Sequence, residues 1–139
     1  MKKIADTVIE LRIATRRACM CENQSDRKKS TLSLKTKVLY LVQKGLSVKD
    51  ITLVLCVAKT NLAQIISSLI KDGFMLKSRA YDDRREVRLM VTGKGRKYLS
   101  DCKAAIESRF KNAYSDEESY GGALRKLDEA LEVFSYIDI

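Results

Sequence analysis

Five hydrogen-bonding side chains lie close together between residues 59 and 67, and their spacing suits contact with the base edges of a nucleic acid. They are Lys59, Thr60, Asn61, Gln64 and Ser67. On a helix, Asn61 and Gln64 would point to the same side, because residues three apart are neighbours. Asn and Gln amides pair with adenine, and Lys binds guanine. Lys59 and Thr60 would stand at the helix start, where backbone N–H groups favour phosphate. For any one of these residues, an ordinary solvated surface position is the alternative.

An amphipathic helix is predicted to position these side chains. Its apolar residues recur at intervals of three and four, which places them on one helical face: Leu62, Ile65, Ile66, Leu69 and Ile70. Gly73 follows at a position where glycine commonly ends a helix. Upstream, Ser47 and Asp50 have the spacing of a capping box and predict the start of another helix. The sequence therefore predicts two helices joined by a tight turn.

Two strand-like segments follow the second of these helices. The first runs from Phe74 to Arg79, and the second has alternating residues, with Val87, Leu89 and Val91 on one side and Arg88 and Met90 on the other. A charged, turn-forming segment, residues 81–86, lies between them. The predicted fold is mainly α with a small two- or three-stranded β-wing, in the order of a winged helix-turn-helix.

The run from Asp82 to Leu99 reads DDRREVRLMVTGKGRKYL, with D-R-R at the wing and T-x-x-G at the start of the next helix. With these residues, and with the apolar spacing and Gly73 upstream, the chain resembles the MarR family of bacterial transcription regulators. The resemblance implies a single domain over residues 1–139. Residues 31–97 would form the winged helix-turn-helix, and residues 1–30 and 98–139 would form dimerisation helices.

The resemblance also implies that helix 59–71 lies in the major groove of double-stranded DNA and that the wing, residues 79–88, lies in the minor groove. The residues then expected to contact DNA are Lys59, Thr60, Asn61, Gln64, Ser67, Arg84 and Arg85. Lys77, Arg79 and Arg88 are further candidates for phosphate contact. Narrow A·T-rich minor grooves attract arginine through their negative potential, and Asp83 is expected to orient a wing arginine by a salt bridge. The chain departs from the family at Cys56, where Gly is frequent, and at Ala58, where Ser or Thr usually caps the helix.

In function, the resemblance implies a homodimeric, ligand-responsive repressor that reads a near-palindromic operator. A small-molecule effector would bind near the junction of the dimerisation helices and the winged region. No enzymatic activity, cofactor or metal is expected, since the sequence contains no His and shows no nucleophile–base pair or phosphate-binding loop. The alternative function is a winged-helix interaction module whose basic face binds an acidic protein.

The charge of the chain is unevenly distributed. The formal net charge is +9, and residues 31–97 alone hold 14 Lys and Arg against 5 Asp and Glu. Residues 98–139 hold 5 against 9. The positive charge therefore coincides with the predicted winged region, as expected for a protein that binds a polyanion at one end. A basic surface that serves only solubility is the alternative.

The predicted terminal helices carry more apolar surface than one small winged region can cover. Residues 2–19 present a thin apolar face, Thr92 is expected to cap a long helix to about Tyr114, and the last helix carries Leu124, Leu127, Leu131, Phe134 and Ile137. A second copy of the chain is the simplest partner for such surfaces. The alternative is that these helices pack back on their own winged region.

The four cysteines are expected to be reduced thiols of a cytoplasmic protein. Cys56 and Cys102 stand at apolar positions and are expected in the core, and structural zinc is disfavoured because the spacing matches no common site. Cys19 and Cys21 lie beside two arginines that would lower a thiol pKa, so redox sensing there is the alternative. No signal peptide is apparent, and the longest apolar run is far too short to span a bilayer, so no membrane association is expected.

Overall fold

The computed structural model describes residues 3–18, 33–79 and 87–137, which contain six helices and two strands. In chain order these are α1 (Ile4–Ala18), α2 (Leu34–Gln43), α3 (Val48–Leu55), α4 (Lys59–Lys71), β1 (Met75–Arg79), β2 (Val87–Val91), α5 (Gly93–Ala113) and α6 (Glu117–Ser135). This order confirms the predicted fold, mainly α with a small β-wing.

One hydrophobic core joins α2, α3 and α4. Each of these helices contributes the apolar side chains of one face, and one residue each from β1 and α5 closes the cluster: Val38, Leu39, Val42, Ile51, Leu62, Ile66, Leu69, Met75 and Leu99. Leu39, Ile51, Leu62 and Met75 are completely inaccessible to solvent. Because the inner face of α4 is buried here, its opposite face must point away from the protein.

α3 and α4 form a helix-turn-helix. Ser47 and Asp50 form the predicted capping box at the start of α3, with each side chain accepting the other's backbone N–H. Cys56 ends α3 in the left-handed conformation, with φ of 53°. The two helices bend by 115° at their junction, which is within the usual range for this motif.

The wing is a two-stranded antiparallel sheet. Its register pairs Met75 with Val91 at the base and Arg79 with Val87 toward the tip. The base is closed by the Thr92 backbone N–H, which donates to the Phe74 carbonyl oxygen at 3.1 Å. The predicted wing tip, residues 81–86, lies outside the described residues.

The terminal helices leave most of their apolar side chains in solvent. In α1, Ile4 is 84% exposed, and in α6 Leu131 is 68% exposed and no residue is buried. Within the described ranges, the alternative that these helices bury their apolar faces on their own winged region is therefore wrong.

Asp116 caps α6 by accepting the Ser119 N–H at 2.7 Å, and this bond lowers the pKa of Asp116.

No single helix among the described residues is long and apolar enough to cross a membrane. The bent pair of α3 and α4 has sufficient length and apolar content when the two are taken together. Their inner residues, however, form the core described above.

Candidate nucleic-acid interface

The outer face of α4 carries the five polar side chains predicted from the sequence. Lys59, Thr60, Asn61, Gln64 and Ser67 are all exposed, whereas Leu62, Ile66 and Leu69 on the inner face are buried. The 3.6-residue period of the helix separates the two sets. The helix thus presents two amides, two hydroxyl groups and one ammonium group on a single solvent-facing surface.

These five side chains form no hydrogen bond or ion pair with any other described residue, in contrast with Ser68 of the same helix. Ser68 accepts a hydrogen bond of 2.7 Å from the Lys35 Nζ. A polar side chain without an intramolecular partner keeps its full capacity to donate to or accept from a ligand. The outer face of α4 is therefore available for hydrogen bonding.

A concave surface of about 680 Å³ lies between α3, α4 and the wing strands. Three lysines from three elements line it, Lys49 of α3, Lys59 of α4 and Lys77 of β1. Its remaining surface includes apolar side chains such as Ile70 and Leu89. Lysines with no described acidic partner concentrate positive potential in a concavity, and such a surface attracts phosphate.

Lys49 was not among the residues predicted from the sequence to contact a nucleic acid. It lies inside the capping box, between Ser47 and Asp50, where the local pattern indicates helix initiation only. Its contribution to the concave surface depends on the angle between α3 and α4. That angle is set by packing, so no short-range signal in the sequence indicates the role of Lys49.

The start of α4 lacks a side-chain cap. Ala58 occupies the N-cap position with φ of −65° and ψ of 142°, and makes no side-chain hydrogen bond. This agrees with the departure from the family predicted at Ala58. The first N–H groups of α4 therefore remain available to solvent or to a phosphate oxygen.

The predicted wing residues are only partly described. Lys77 is exposed on the wing face that borders the concave surface, and Arg88 is exposed on the opposite face of the sheet. The backbone of Arg79 pairs with Val87 at the outer end of β1. Asp83, Arg84 and Arg85 lie outside the described residues, as do Cys19 and Cys21.

The expectation that Cys56 lies in the core is wrong, because its side chain is exposed. It occupies the turn between α3 and α4, whose left-handed backbone directs the side chain away from the core. Cys102 is only partly buried on α5. Among the described residues, no cluster of three or more Cys, Asp or Glu side chains has the arrangement of a metal site.

Comparison with known proteins identifies the same fold. Residues 36–87 match the sequence model of the MarR family. No curated protein matches the chain. A mutant MarR from E. coli is similar in structure, with a TM-score of 0.70 and 13% identity over 94% of this chain and 98% of the other.

Two further structures show the same likeness. FabT from Streptococcus pneumoniae, solved in complex with DNA, has a TM-score of 0.64 and 19% identity over 94% of this chain and 96% of that one. CouR from Rhodococcus jostii, solved bound to p-coumaroyl-CoA, has a TM-score of 0.66 and 11% identity over 99% and 95%. Residues 36–87 thus match the MarR family in sequence, and the chain as a whole has the winged helix fold of MarR-family transcriptional regulators.

Proposed function

We propose that this protein is a dimeric, DNA-binding transcription regulator that reads a near-palindromic operator. In this proposal α4 lies in the major groove and the wing, residues 79–88, lies in the minor groove. The observation that carries the proposal is the outer face of α4, where five polar side chains are exposed and have no partner among the described residues. A polar surface of this kind, built on a helix with a buried inner face, is suited to hydrogen bonding with base edges.

The dimensions and charge of α4 and its surroundings support this proposal. α4 has 13 residues, which gives a length of about 20 Å, and a B-DNA major groove admits a single helix. Lys49, Lys59 and Lys77 border the same face. In this proposal they contact phosphates beside the groove that α4 enters, and such contacts fix the orientation of a protein on DNA.

Homodimerisation is proposed from the apolar side chains that the terminal helices leave in solvent. Between α5 and α6 there is an apolar groove of about 150 Å³, lined by Ile106, Phe110, Tyr120, Leu124 and Leu127 among others. With α1 also exposed, one chain presents apolar surface from both of its ends. A second copy would bury these surfaces symmetrically and set a fixed distance between two α4 helices.

We further propose that the regulator is a repressor that responds to a small-molecule effector and has no catalytic role. Support comes from proteins of the same fold. FabT was solved with DNA and CouR with an acyl-CoA, so this fold accommodates both kinds of partner. The junction of the terminal helices with the winged region is the proposed position of the effector.

Selection of binding sequences from a random duplex library tests the proposal without knowledge of the operator. The full-length protein should enrich duplexes with two inverted half-sites, centred about 10 base pairs apart, because the two α4 helices of a symmetric dimer would enter successive major grooves one helical turn apart. Failure to enrich any sequence would contradict the proposal. Capture of an acidic protein, with no DNA enrichment, would instead support the interaction-module alternative.

A further inference from the structure

Side chains at the start of α5 form hydrogen bonds with the backbone at the C-terminal end of α4. Thr92 Oγ1 donates a hydrogen bond of 2.6 Å to the Gly73 carbonyl oxygen. Lys94 Nζ donates one of 2.9 Å to the Asp72 carbonyl oxygen, and lies 5.0 Å from the centroid of the Phe74 ring. Residues 72–74 follow α4 directly, so these contacts join two elements that are about twenty residues apart in sequence.

Close packing at Gly95 strengthens the same connection. A Cβ at this position would overlap the Phe74 carbonyl oxygen and would lie 2.8 Å from Val91 Cγ1. The backbone of α5 therefore rests directly on the segment that leaves α4. The Phe74 and Tyr98 rings are in contact, with centroids 5.0 Å apart and planes tilted by 30°, and the Tyr98 hydroxyl lies 3.1 Å from Thr36 Oγ1. Through Tyr98, α2 is also linked to the segment that follows α4.

The two ends of α4 are held very differently. Its N-terminal end has no side-chain cap. At its C-terminal end, Lys94 binds the Asp72 carbonyl oxygen, and Lys35 donates to Ser68 at 2.7 Å and lies 3.9 Å from the Asp72 carboxylate. Cations near a helix C-terminus also interact favourably with its carbonyl groups. Core packing fixes the inner face of α4 along its length, and these side-chain contacts add further restraint at its C-terminal end only.

We infer that Lys94 is a positioning residue for sequence reading, which fixes the orientation of α4 on DNA without itself contacting DNA. This inference rests on the proposed DNA-binding function. Bidentate hydrogen bonds to bases depend steeply on distance and angle, whereas contacts between lysine and phosphate tolerate small rotations. A less firmly held α4 should therefore lose discrimination between sequences while it keeps its affinity for DNA in general.

The test compares Lys94→Met with Lys97→Met in the full-length protein. Lys97 is an exposed lysine three residues further along α5 and has no hydrogen bond or ion pair with a described residue, so both changes remove one charge at nearly the same place. Dissociation constants are measured on a duplex selected from a random library and on its shuffled sequence. For Lys94→Met, the dissociation constant on the shuffled duplex divided by that on the selected duplex should fall about fivefold, within the range for loss of one solvent-exposed hydrogen bond. Lys97→Met should keep the wild-type ratio.

Amide hydrogen exchange without DNA provides an independent measurement. The Gly73 and Phe74 N–H groups donate to the Ile70 and Leu69 carbonyl oxygens, and their exchange should be faster in Lys94→Met than in Lys97→Met. Equal ratios in the two variants would overturn the inference, and so would equal exchange rates at Gly73 and Phe74. A loss of affinity in Lys94→Met that is equal on both duplexes and flattens the salt dependence would also overturn it, because that result indicates direct phosphate contact. If the wild-type protein binds no duplex, the proposed function itself fails.

Discussion

Gln64 and the predicted wing residue Arg85 should contribute to DNA binding in different ways. Gln64 is exposed on α4 and has an amide that pairs with a base edge, whereas arginine in a minor groove acts largely through its charge. A base contact strengthens binding only to DNA that carries the matching base. A charge contact strengthens binding to DNA of any sequence, and its formation releases counterions from the phosphates.

Gln64→Ala should therefore cost about 1–3 kcal/mol on a selected operator and much less on random DNA. Arg85→Ala should weaken binding to both duplexes and flatten the salt dependence by about one unit of slope. Fluorescence anisotropy at several salt concentrations measures both effects. Gln43→Ala is a suitable control, because it makes the same chemical change at an exposed position at the end of α2. Wild-type affinity in both Gln64→Ala and Arg85→Ala would show that the protein does not bind DNA through the outer face of α4 and the wing.

Among the helices and strands, the features that depend on short-range patterns were predictable from the sequence. The capping box of α3, the apolar face of α4 and the Thr92 cap of α5 all follow from residues within a few positions of one another. The exposure of Cys56 was not predicted, because apolar neighbours suggested burial, whereas the left-handed turn places its side chain in solvent.

Contacts between elements that are far apart in the sequence could not be predicted either. Lys35 and Ser68 are 33 residues apart, and Lys94 and Asp72 are 22 apart. Their approach depends on how α2 and α5 pack around α4, and no local spacing encodes that arrangement. The same holds for the concave surface that brings Lys49 beside Lys77. The polar face of α4 could therefore be predicted, but the contacts that α2 and α5 make with α4 and the residues after it could not.

The junction of α3 and α4 should be stabilised by Cys56→Gly. Cys56 has φ of 53°, a conformation that costs a residue with a Cβ about 1 kcal/mol relative to glycine. Urea unfolding should therefore show a gain of about that size in the free energy of unfolding. Cys56→Ser, which keeps the Cβ and removes the thiol, should leave stability nearly unchanged. A gain in the serine variant equal to that of glycine would show that the thiol, and not the backbone conformation, is unfavourable.

For the molecule as a whole, the exposed apolar side chains of α1 and α6 predict a dimer in sedimentation. Removal of residues 116–139 should cause aggregation or unfolding, because it uncovers the apolar side of α5. Leu131→Asp, at a position 68% exposed in a single chain, should weaken the dimer. Leu76→Asp is the matched control, since Leu76 is 58% exposed and belongs to β1 of the wing, not to a terminal helix. A folded monomer after the truncation, or equal effects of the two substitutions, would contradict the dimer.

The most direct test of DNA reading by α4 is a salt titration of the wild-type protein on a selected duplex and on its shuffled sequence. The logarithm of the binding constant should fall linearly with the logarithm of salt concentration on both duplexes, because the lysines around α4 displace counterions from phosphate. The selected duplex should be preferred by roughly a thousandfold or more at physiological salt, as for other specific DNA-binding proteins. Binding that is insensitive to salt, or equal affinity for the two duplexes, would contradict sequence reading through the outer face of α4.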